Sequence, residues 1–250
     1  MTNKISPNVV FKKKTINNFK KNLSLDNISL RDVSMDDLNL DNNENNFKEY
    51  YSLKFLLNSV SSCQMADAYF KIAKKSPVIY NLKSINNMNV YGKLFTCKTN
   101  SDDWGTSAIA IDRTNSEDIL FILVNDDTSA IWGEIATRAA IKKGIKACVI
   151  YGSCRDVEVL STLNLPIFAL NIVPNAGSPL GLGEFNEYIE VVGRKISNDD
   201  FFFADENGVI VIEKSLFNSV IVETLSIKIK EIEIISKINK GISLSEIANL

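Results

Sequence analysis

Hydrophobic and polar positions change rhythm several times along this chain, and the changes predict its elements. Ile119-Leu120-Phe121-Ile122-Leu123-Val124 is an unbroken apolar run, the pattern of a strand buried on both faces. Asn125-Asp126-Asp127-Thr128 ends it. From Gly133 to Lys143, Ile135, Ala136, Ala139 and Ala140 fall on one face of a helix, and Gly144 stands where a C-cap belongs. Ala147 to Tyr151 is a second buried strand, after which Gly152 is expected to turn the chain. Val157 to Leu163 predicts a short helix and Pro166 to Leu170 a third strand. Upstream, Leu53 to Lys74 reads as mainly helical and Val90 to Cys97 as a strand. Downstream come a loop-rich segment from Asn171 to Gly183, a strand from Ile189 to Val192, and a hairpin. In that hairpin Phe201–Ala204 and Val209–Ile212 flank Asp205-Glu206-Asn207-Gly208, and Asn-Gly favours a tight turn because both residues tolerate positive φ. Ser215 to Lys240 reads as one long helix closed by Gly241, and the tail Ile242 to Leu250 starts a short final turn. Strand–helix–strand alternation followed by a hairpin indicates an α/β domain with a mixed sheet.

The first 48 residues read differently, so the expected organisation is an N-terminal extension, 1–48, and an α/β domain, 49–250. The extension begins basic, at Lys12, Lys13, Lys14, Lys20 and Lys21, and ends in the acidic, Asn-rich stretch Asp41 to Asn46. Between them runs a five-residue period, with Leu23/Leu25, Ile28/Leu30, Val33/Met35 and Leu38/Leu40 as its apolar pairs. The period resembles a pentapeptide repeat, but four repeats make one coil of a β-helix, too little to bury a core alone. A disordered leader, or one docked on a protein partner, accounts for the same residues.

Composition narrows the chemistry. Among 250 residues there is no histidine. Within this chain that removes Ser-His and Cys-His catalytic pairs, His-ligated metals and imidazole acid–base work. Proton transfer falls to carboxylates, Lys, Tyr, Cys or metal-bound water. A net charge of −2 lacks the basic footprint of a nucleic-acid binder. Cys63, Cys97, Cys148 and Cys154 show no C-x-x-C spacing, which fits reduced thiols in the cytoplasm better than a zinc site or a disulfide frame. No run reaches the ~18 apolar residues of a membrane span, and residues 1–21 lack the apolar centre of a signal peptide.

The candidate chemistry lies between Gly133 and Asp156. Trp132-Gly133-Glu134-Ile135 is expected at a strand-to-helix turn, where the first amides of the helix have no partners and carry positive partial charge. One βα unit later, Gly152-Ser153-Cys154-Arg155-Asp156 follows the next buried strand. Ligands bind at the carboxyl ends of strands in open α/β sheets. Neighbouring parallel strands would therefore bring Glu134 and Arg155-Asp156 to one rim. Asp156 is a hard oxygen donor suited to Mg²⁺ or Mn²⁺, Arg155 a fixed cation for an oxyanion, and Glu134 a holder of metal-bound water or an acceptor of its proton. Such a site suits a 2-oxo acid. The same residues also serve as an ordinary helix cap and an exposed first-turn acid.

Ile131-Trp132-Gly133-Glu134-Ile135-Ala136 followed by Val149-Ile150-Tyr151-Gly152-Ser153-Cys154-Arg155-Asp156 resembles the RraA-like proteins and class II 4-hydroxy-4-methyl-2-oxoglutarate aldolases. Gly92–Cys97, Leu165–Ala169, Phe203–Val209 and Lys230-Glu231 with Gly241 extend the resemblance in order, over about residues 53 to 247. It implies a swivelling β/β/α-type domain with a mixed central sheet. It also implies a homotrimer or hexamer with its sites between subunits. The aldolase pattern of an acid, twenty residues and Arg-Asp matches Glu134, Arg155 and Asp156, with Glu where Asp is usual. By that resemblance Asp156 ligates the divalent metal, Arg155 binds substrate and stabilises an enolate, and Glu134 orients metal-bound water. The amides of Ile135 and Ala136, beside Gly133, take the substrate carboxylate, and Glu231 of a neighbouring subunit adds a further acid.

The chain departs from the pattern at Asp103-Trp104, Asn125–Thr128 and Asn171 as well. These positions border the implied pocket, so the resemblance carries over no particular substrate. Three roles are compatible: a metal-dependent lyase of 2-oxo acids, a regulator that binds an RNA-degrading enzyme without chemistry, and a biosynthetic enzyme reusing the enolate site.

Overall fold

The computed structural model describes residues 53–250, so the extension 1–48 and its five-residue period lie outside the described residues. The described chain divides into two compact units, a helical one from residues 53–76 and 216–250 and a sheet unit from residues 77–215. In chain order the elements begin α1 (Leu53–Ser59), α2 (Ser62–Ala73), β1 (Lys83–Ser84), β2 (Val90–Thr99) and α3 (Gly105–Arg113). Then come β3 (Ile119–Val124), β4 (Ala130–Trp132), α4 (Glu134–Lys143), β5 (Ala147–Cys154), α5 (Val157–Leu160) and β6 (Ile167–Ile172). The chain ends with β7 (Tyr188–Val191), β8 (Arg194–Ser197), β9 (Phe201–Asp205), β10 (Gly208–Ile212), α6 (Phe217–Asn239) and α7 (Leu244–Ala248). None of the described helices is long and apolar enough to cross a membrane.

In the helical unit the mainly helical stretch expected over Leu53–Lys74 forms two helices, divided at Ser61. Ser61 caps α2 by accepting from Gln64 N, and Gln64 Oε1 accepts from Ser61 N in return, both at 3.2 Å. This reciprocal box fixes a new start rather than a continuation. Met65, Ala68 and Tyr69 of α2 are buried, as are Phe217, Val220, Ile221 and Leu225 of α6, and the two helices pack together.

The sheet unit runs β1-β6-β5-β3-β2-β9-β10, with β4 beside β5. The inner pairs β2–β3, β3–β5, β4–β5 and β5–β6 are parallel, whereas β2–β9, β9–β10 and β1–β6 are antiparallel. The segment before β2 joins the two ends of this sheet. Ile79 N donates to Val209 O on β10 at 2.9 Å, and a few residues later Lys83 and Ser84 pair with β6. A nearly closed barrel results, which leaves little unpaired edge. The apolar run of β3 serves both sides, as expected. Leu120, Ile122 and Val124 pack with Cys148, Ile150, Ala110 and Ala140 on the helix side. Ile119 and Phe121 pack with Val149, Phe168, Phe202 and Val211 on the other.

Three local expectations are corrected. Gly152 does not turn the chain; it lies inside β5, next to an irregularity in the β5–β6 register. A Cβ there would meet Val124 Cγ2 at 2.4 Å, so the glycine admits a close approach between strands. In the β9–β10 hairpin only Gly208 takes positive φ, +148°. The helix after Asp156 ends at Leu160 rather than Leu163. The strand expected over Ile189–Val192 is β7, but α3 and β8, with which β7 forms a hairpin, had no clear sequence signal. That hairpin turns through Val192 and Gly193 at φ +49° and +71°. A β-branched residue at positive φ is a rare outlier, so Val192 does not advertise a turn.

Candidate active site

The rim expected from the sequence forms because β4 runs parallel to the far half of β5, with Ala130 opposite Ser153 and Trp132 opposite Cys154. Both strands end together, and Arg155 N donates to Trp132 O at 2.9 Å. Asp156 then adopts the left-handed conformation, φ +59°, which Asp tolerates better than most residues. Its carboxylate thereby reaches the start of α4, where Oδ2 accepts from Glu134 N at 3.0 Å. That amide is one of the unpaired donors of the helix N-terminus, and the helix dipole favours an anion there. Gly133 makes the contact possible, since a Cβ on it would sit 2.5 Å from Asp156 Oδ2 and 3.2 Å from Arg155 Cγ. Arg155 Nε lies 3.7 Å from the same Oδ2, with 42% and 39% of the two side chains exposed. At that exposure the pair adds little stability; it is a charged surface facing solvent.

The start of α4 is otherwise firmly held. Buried Trp132 donates through Nε1 to Thr137 Oγ1 at 2.9 Å, and Thr137 Oγ1 donates to Gly133 O at 2.9 Å. The amides of Ile135 and Ala136 belong to the first turn and have no acceptor within the helix. Ile135 is 84% exposed. Glu134 is adjacent in sequence to this centre, but its Oε1 accepts from Arg138 Nε and lies 2.7 Å from Arg138 Nη2, an i,i+4 pair along the helix surface. Glu231 belongs to the helical unit, on α6, where its carboxylate accepts from Gln64 Nε2 of α2. Lys228 is nearby; burial lowers its pKa and the Glu231 charge raises it, with a net downward shift. The structure thus assembles Gly133, Asp156, Arg155 and the first amides of α4, and engages Glu134 and Glu231 elsewhere.

As a metal centre the arrangement offers one hard donor. Both contacts of the Asp156 carboxylate fall on Oδ2, which leaves Oδ1 as the oxygen available to an ion on a part-exposed side chain. Among the described residues no three His, Cys, Asp or Glu side chains gather around a common point. The donor set therefore fits Mg²⁺ or Mn²⁺ held by one carboxylate, water and a chelating substrate, and does not fit an all-protein cage.

Several further rim residues, some of them expected from the sequence to border the pocket, were given no role there. The segment after β6 crosses the ends of the strands: Ala130 N donates to Asn175 O at 2.9 Å, and Trp104 N to Ser178 O at 3.1 Å. Asp103, 2% exposed, anchors it by accepting from Gly181 N at 2.7 Å, Leu182 N at 2.8 Å and Thr106 Oγ1 at 2.7 Å. Burial pushes its pKa up, but these hydrogen bonds outweigh that and bring it from 3.8 to about 2. A folded-state value below the unfolded one adds stability above the unfolded pKa and loses it as pH falls. Asp103→Ala is therefore expected to destabilise the protein by about 2–3 kcal/mol at neutral pH, since these donors lose a buried acceptor. In urea titrations the gap from wild type should close as pH drops from 3.8 towards about 2. An unchanged gap would mean that the carboxylate charge is not what holds the strap.

The β3–β4 loop is laced to the same rim. Ser153 Oγ donates to Asp127 O at 2.8 Å, and Asn171 Nδ2 to the Asp127 carboxylate at 2.6 Å. Asn175 Nδ2 donates to Thr128 O at 2.8 Å. Asp126 accepts from Ser101 and Thr128, and the Ser101 bond is the main cause of its lowered pKa.

Comparison with known proteins adds a family. An uncharacterized protein of Methanocaldococcus jannaschii is 36% identical over 167 residues, 66% of this chain and 80% of that protein. A protein of Alcanivorax borkumensis, provisionally named a 4-hydroxy-4-methyl-2-oxoglutarate aldolase, is 33% identical over 88 residues, 35% of this chain. The match spans about half of that relative, 55%. Among solved structures, an uncharacterized protein from Pseudomonas syringae pv. tomato superposes with a TM-score of 0.66 at 22% identity, covering 78% of this chain and 93% of that one. The RNA-processing inhibitor RraA from Thermus thermophilis gives 0.53 at 22% identity, covering 59% and 91%. At such identities the likeness is one of fold. The RraA-like family model, described as Aldolase/RraA, matches residues 62–211, more than half of the sequence. On that match, and with the α/β fold and mixed sheet described above, the chain belongs to the RraA-like family.

Proposed function

We propose that this protein is a divalent-metal-dependent lyase that cleaves a 2-oxo acid by retro-aldol reaction, or decarboxylates an oxaloacetate-type substrate. The observation that carries it is the seating of the Asp156 carboxylate on the first amide of α4 directly beside Arg155. The aldolase names of several relatives favour the same chemistry.

In this reading the Ile135 and Ala136 amides hold the substrate carboxylate. Arg155 donates to the 2-oxo oxygen and stabilises the negative charge that grows there. Asp156 would hold Mg²⁺ or Mn²⁺ through Oδ1, and the ion supplies further polarisation of the 2-oxo group. As the C3–C4 bond breaks, Glu134, still paired with Arg138 through Oε1, takes the 4-hydroxyl proton through a water. C4 becomes a carbonyl, and the enolate is protonated at C3 to leave pyruvate when C3 carries no other substituent. The scheme includes assembly into a trimer or hexamer in which Glu231 from a second copy completes the site. It also includes a cytoplasmic location, where the free cysteines remain reduced. A regulator of an RNA-degrading enzyme needs neither Arg155 nor Asp156.

The test is pyruvate release by the full chain with Mg²⁺ or Mn²⁺. The substrates are oxaloacetate, 4-hydroxy-4-methyl-2-oxoglutarate and 4-hydroxy-2-oxo acids with a single carboxylate. Release above the metal-only rate on at least one supports the lyase. Background rates on all of them, from folded protein, overturn it.

A further inference from the structure

The loop between β3 and β4 places a second carboxylate on the rim where β5 and β6 end, the rim that carries Arg155. Ser153, whose hydroxyl holds the Asp127 carbonyl at 2.8 Å, precedes Arg155 by two residues, about 7 Å along an extended chain. Asn171 is the β6 partner of Ser153 in register, and its Nδ2 holds Asp127 Oδ2 at 2.6 Å. The carboxylate of Asp127 is therefore pinned beside the ends of β5 and β6, while the residue stays exposed to solvent. Asp126, next to it, is already occupied by Ser101 and Thr128. Asp127 is thus a rim acid that keeps acceptor capacity for a ligand beyond the Asp156 centre.

The charge balance gives this placement a consequence. On the segments that meet here the arginines are Arg138 and Arg155, and Arg138 is paired with Glu134. Arg155 and a divalent ion on Asp156 suffice for one substrate carboxylate and a developing enolate. A second carboxylate at the far end of the substrate would find both of these arginines engaged and would meet the like charge of Asp127. Like charges brought together on a shared surface discriminate against the wrong ligand. A hydroxyl at the same place would instead donate to the carboxylate.

We propose that Asp127, held by Asn171 beside the Arg155–Asp156 centre, is a specificity-determining residue that selects 4-hydroxy-2-oxo acids with a single carboxylate and an uncharged, hydroxylated tail. This rests on the lyase reading and goes beyond it by naming the substrate class.

Two readouts test it. Calorimetry with Mg²⁺ compares binding of pyruvate and of 2-oxoglutarate, a dicarboxylate without the 4-hydroxyl that cleavage needs. Steady-state rates compare kcat/KM for 4-hydroxy-4-methyl-2-oxoglutarate with that for a 4-hydroxy-2-oxo acid bearing a hydroxylated tail. Wild type should favour the single carboxylate in both. Asp127→Asn, which removes the charge but keeps the shape, should shift both ratios towards the dicarboxylate by about tenfold. Wild-type preference for the dicarboxylate, or ratios unmoved by the substitution, overturns the proposal while leaving the lyase standing. If no 2-oxo acid is bound or cleaved, the lyase reading fails and the proposal fails with it.

Discussion

Arg155→Ala is expected to slow pyruvate release by about 10²- to 10³-fold, the usual cost of removing a donor aimed at a developing oxyanion. The loss should appear in kcat and kcat/KM alike, because the guanidinium bonds the enolate more strongly than the ketone. Stability should change little. The side chain is 42% exposed, and its contact with Asp156 is 3.7 Å; exposed pairs of this kind contribute about 0–1 kcal/mol. Arg155→Lys should recover only a small part of the rate, since an ammonium lacks the planar fork of the guanidinium. The measurement is steady-state kinetics beside a thermal melt. A variant that melts as wild type and keeps more than half its rate would remove Arg155 from the chemistry.

Gly133→Ala is expected to cost a comparable amount through geometry alone. Gly133 has extended backbone, φ −164° and ψ −159°, which alanine adopts without strain. The added methyl would instead stand 2.5 Å from Asp156 Oδ2, so the carboxylate must leave the Glu134 amide. A displacement of about 1 Å in a catalytic group is enough to cost about 10²-fold in rate. The melting temperature should fall by only a few degrees, as for loss of a partly exposed cap. The double variant Gly133→Ala/Asp156→Ala separates this cause from general damage. If Gly133 acts by admitting Asp156, the double variant is no slower than Asp156→Ala alone. Additive losses would show that Gly133 matters for another reason.

Much of this centre is legible in the chain itself. The apolar runs of β3 and β5 and the helical stripe of α4 declare two neighbouring βα units. Parallel neighbours must end at one rim, so Gly133-Glu134 and Arg155-Asp156 were expected together, and the Arg155 N to Trp132 O bond joins the two ends. The i,i+4 spacing of Glu134 and Arg138 was also readable, but the direction of the Glu134 carboxylate was not. Free choice between a helix-surface partner and the rim is settled by rotamer and surroundings. Gly152 shows the opposite failure: a glycine after an apolar run reads as a turn, yet here it relieves a 2.4 Å contact with Val124 from another strand.

What the sequence determined by itself is local and periodic. It set the buried strands, the start and Gly144 end of α4, the β9–β10 hairpin, and a chemistry without imidazole, since the chain has no histidine. The tertiary structure alone decided the contacts between positions far apart in the chain. These include closure of the barrel through residues 77–84, the strap held by Asp103 across 78 and 79 residues of separation to Gly181 and Leu182, and the hold of Asn171 on Asp127. The physical reason is the range of the forces. Burial periodicity and capping are set by neighbours within a turn or a pleat, so they leave a mark in the order of residues. Satisfying a buried carboxylate, or closing a sheet on itself, depends on which distant backbone arrives with free donors, and that is known only once the chain has packed.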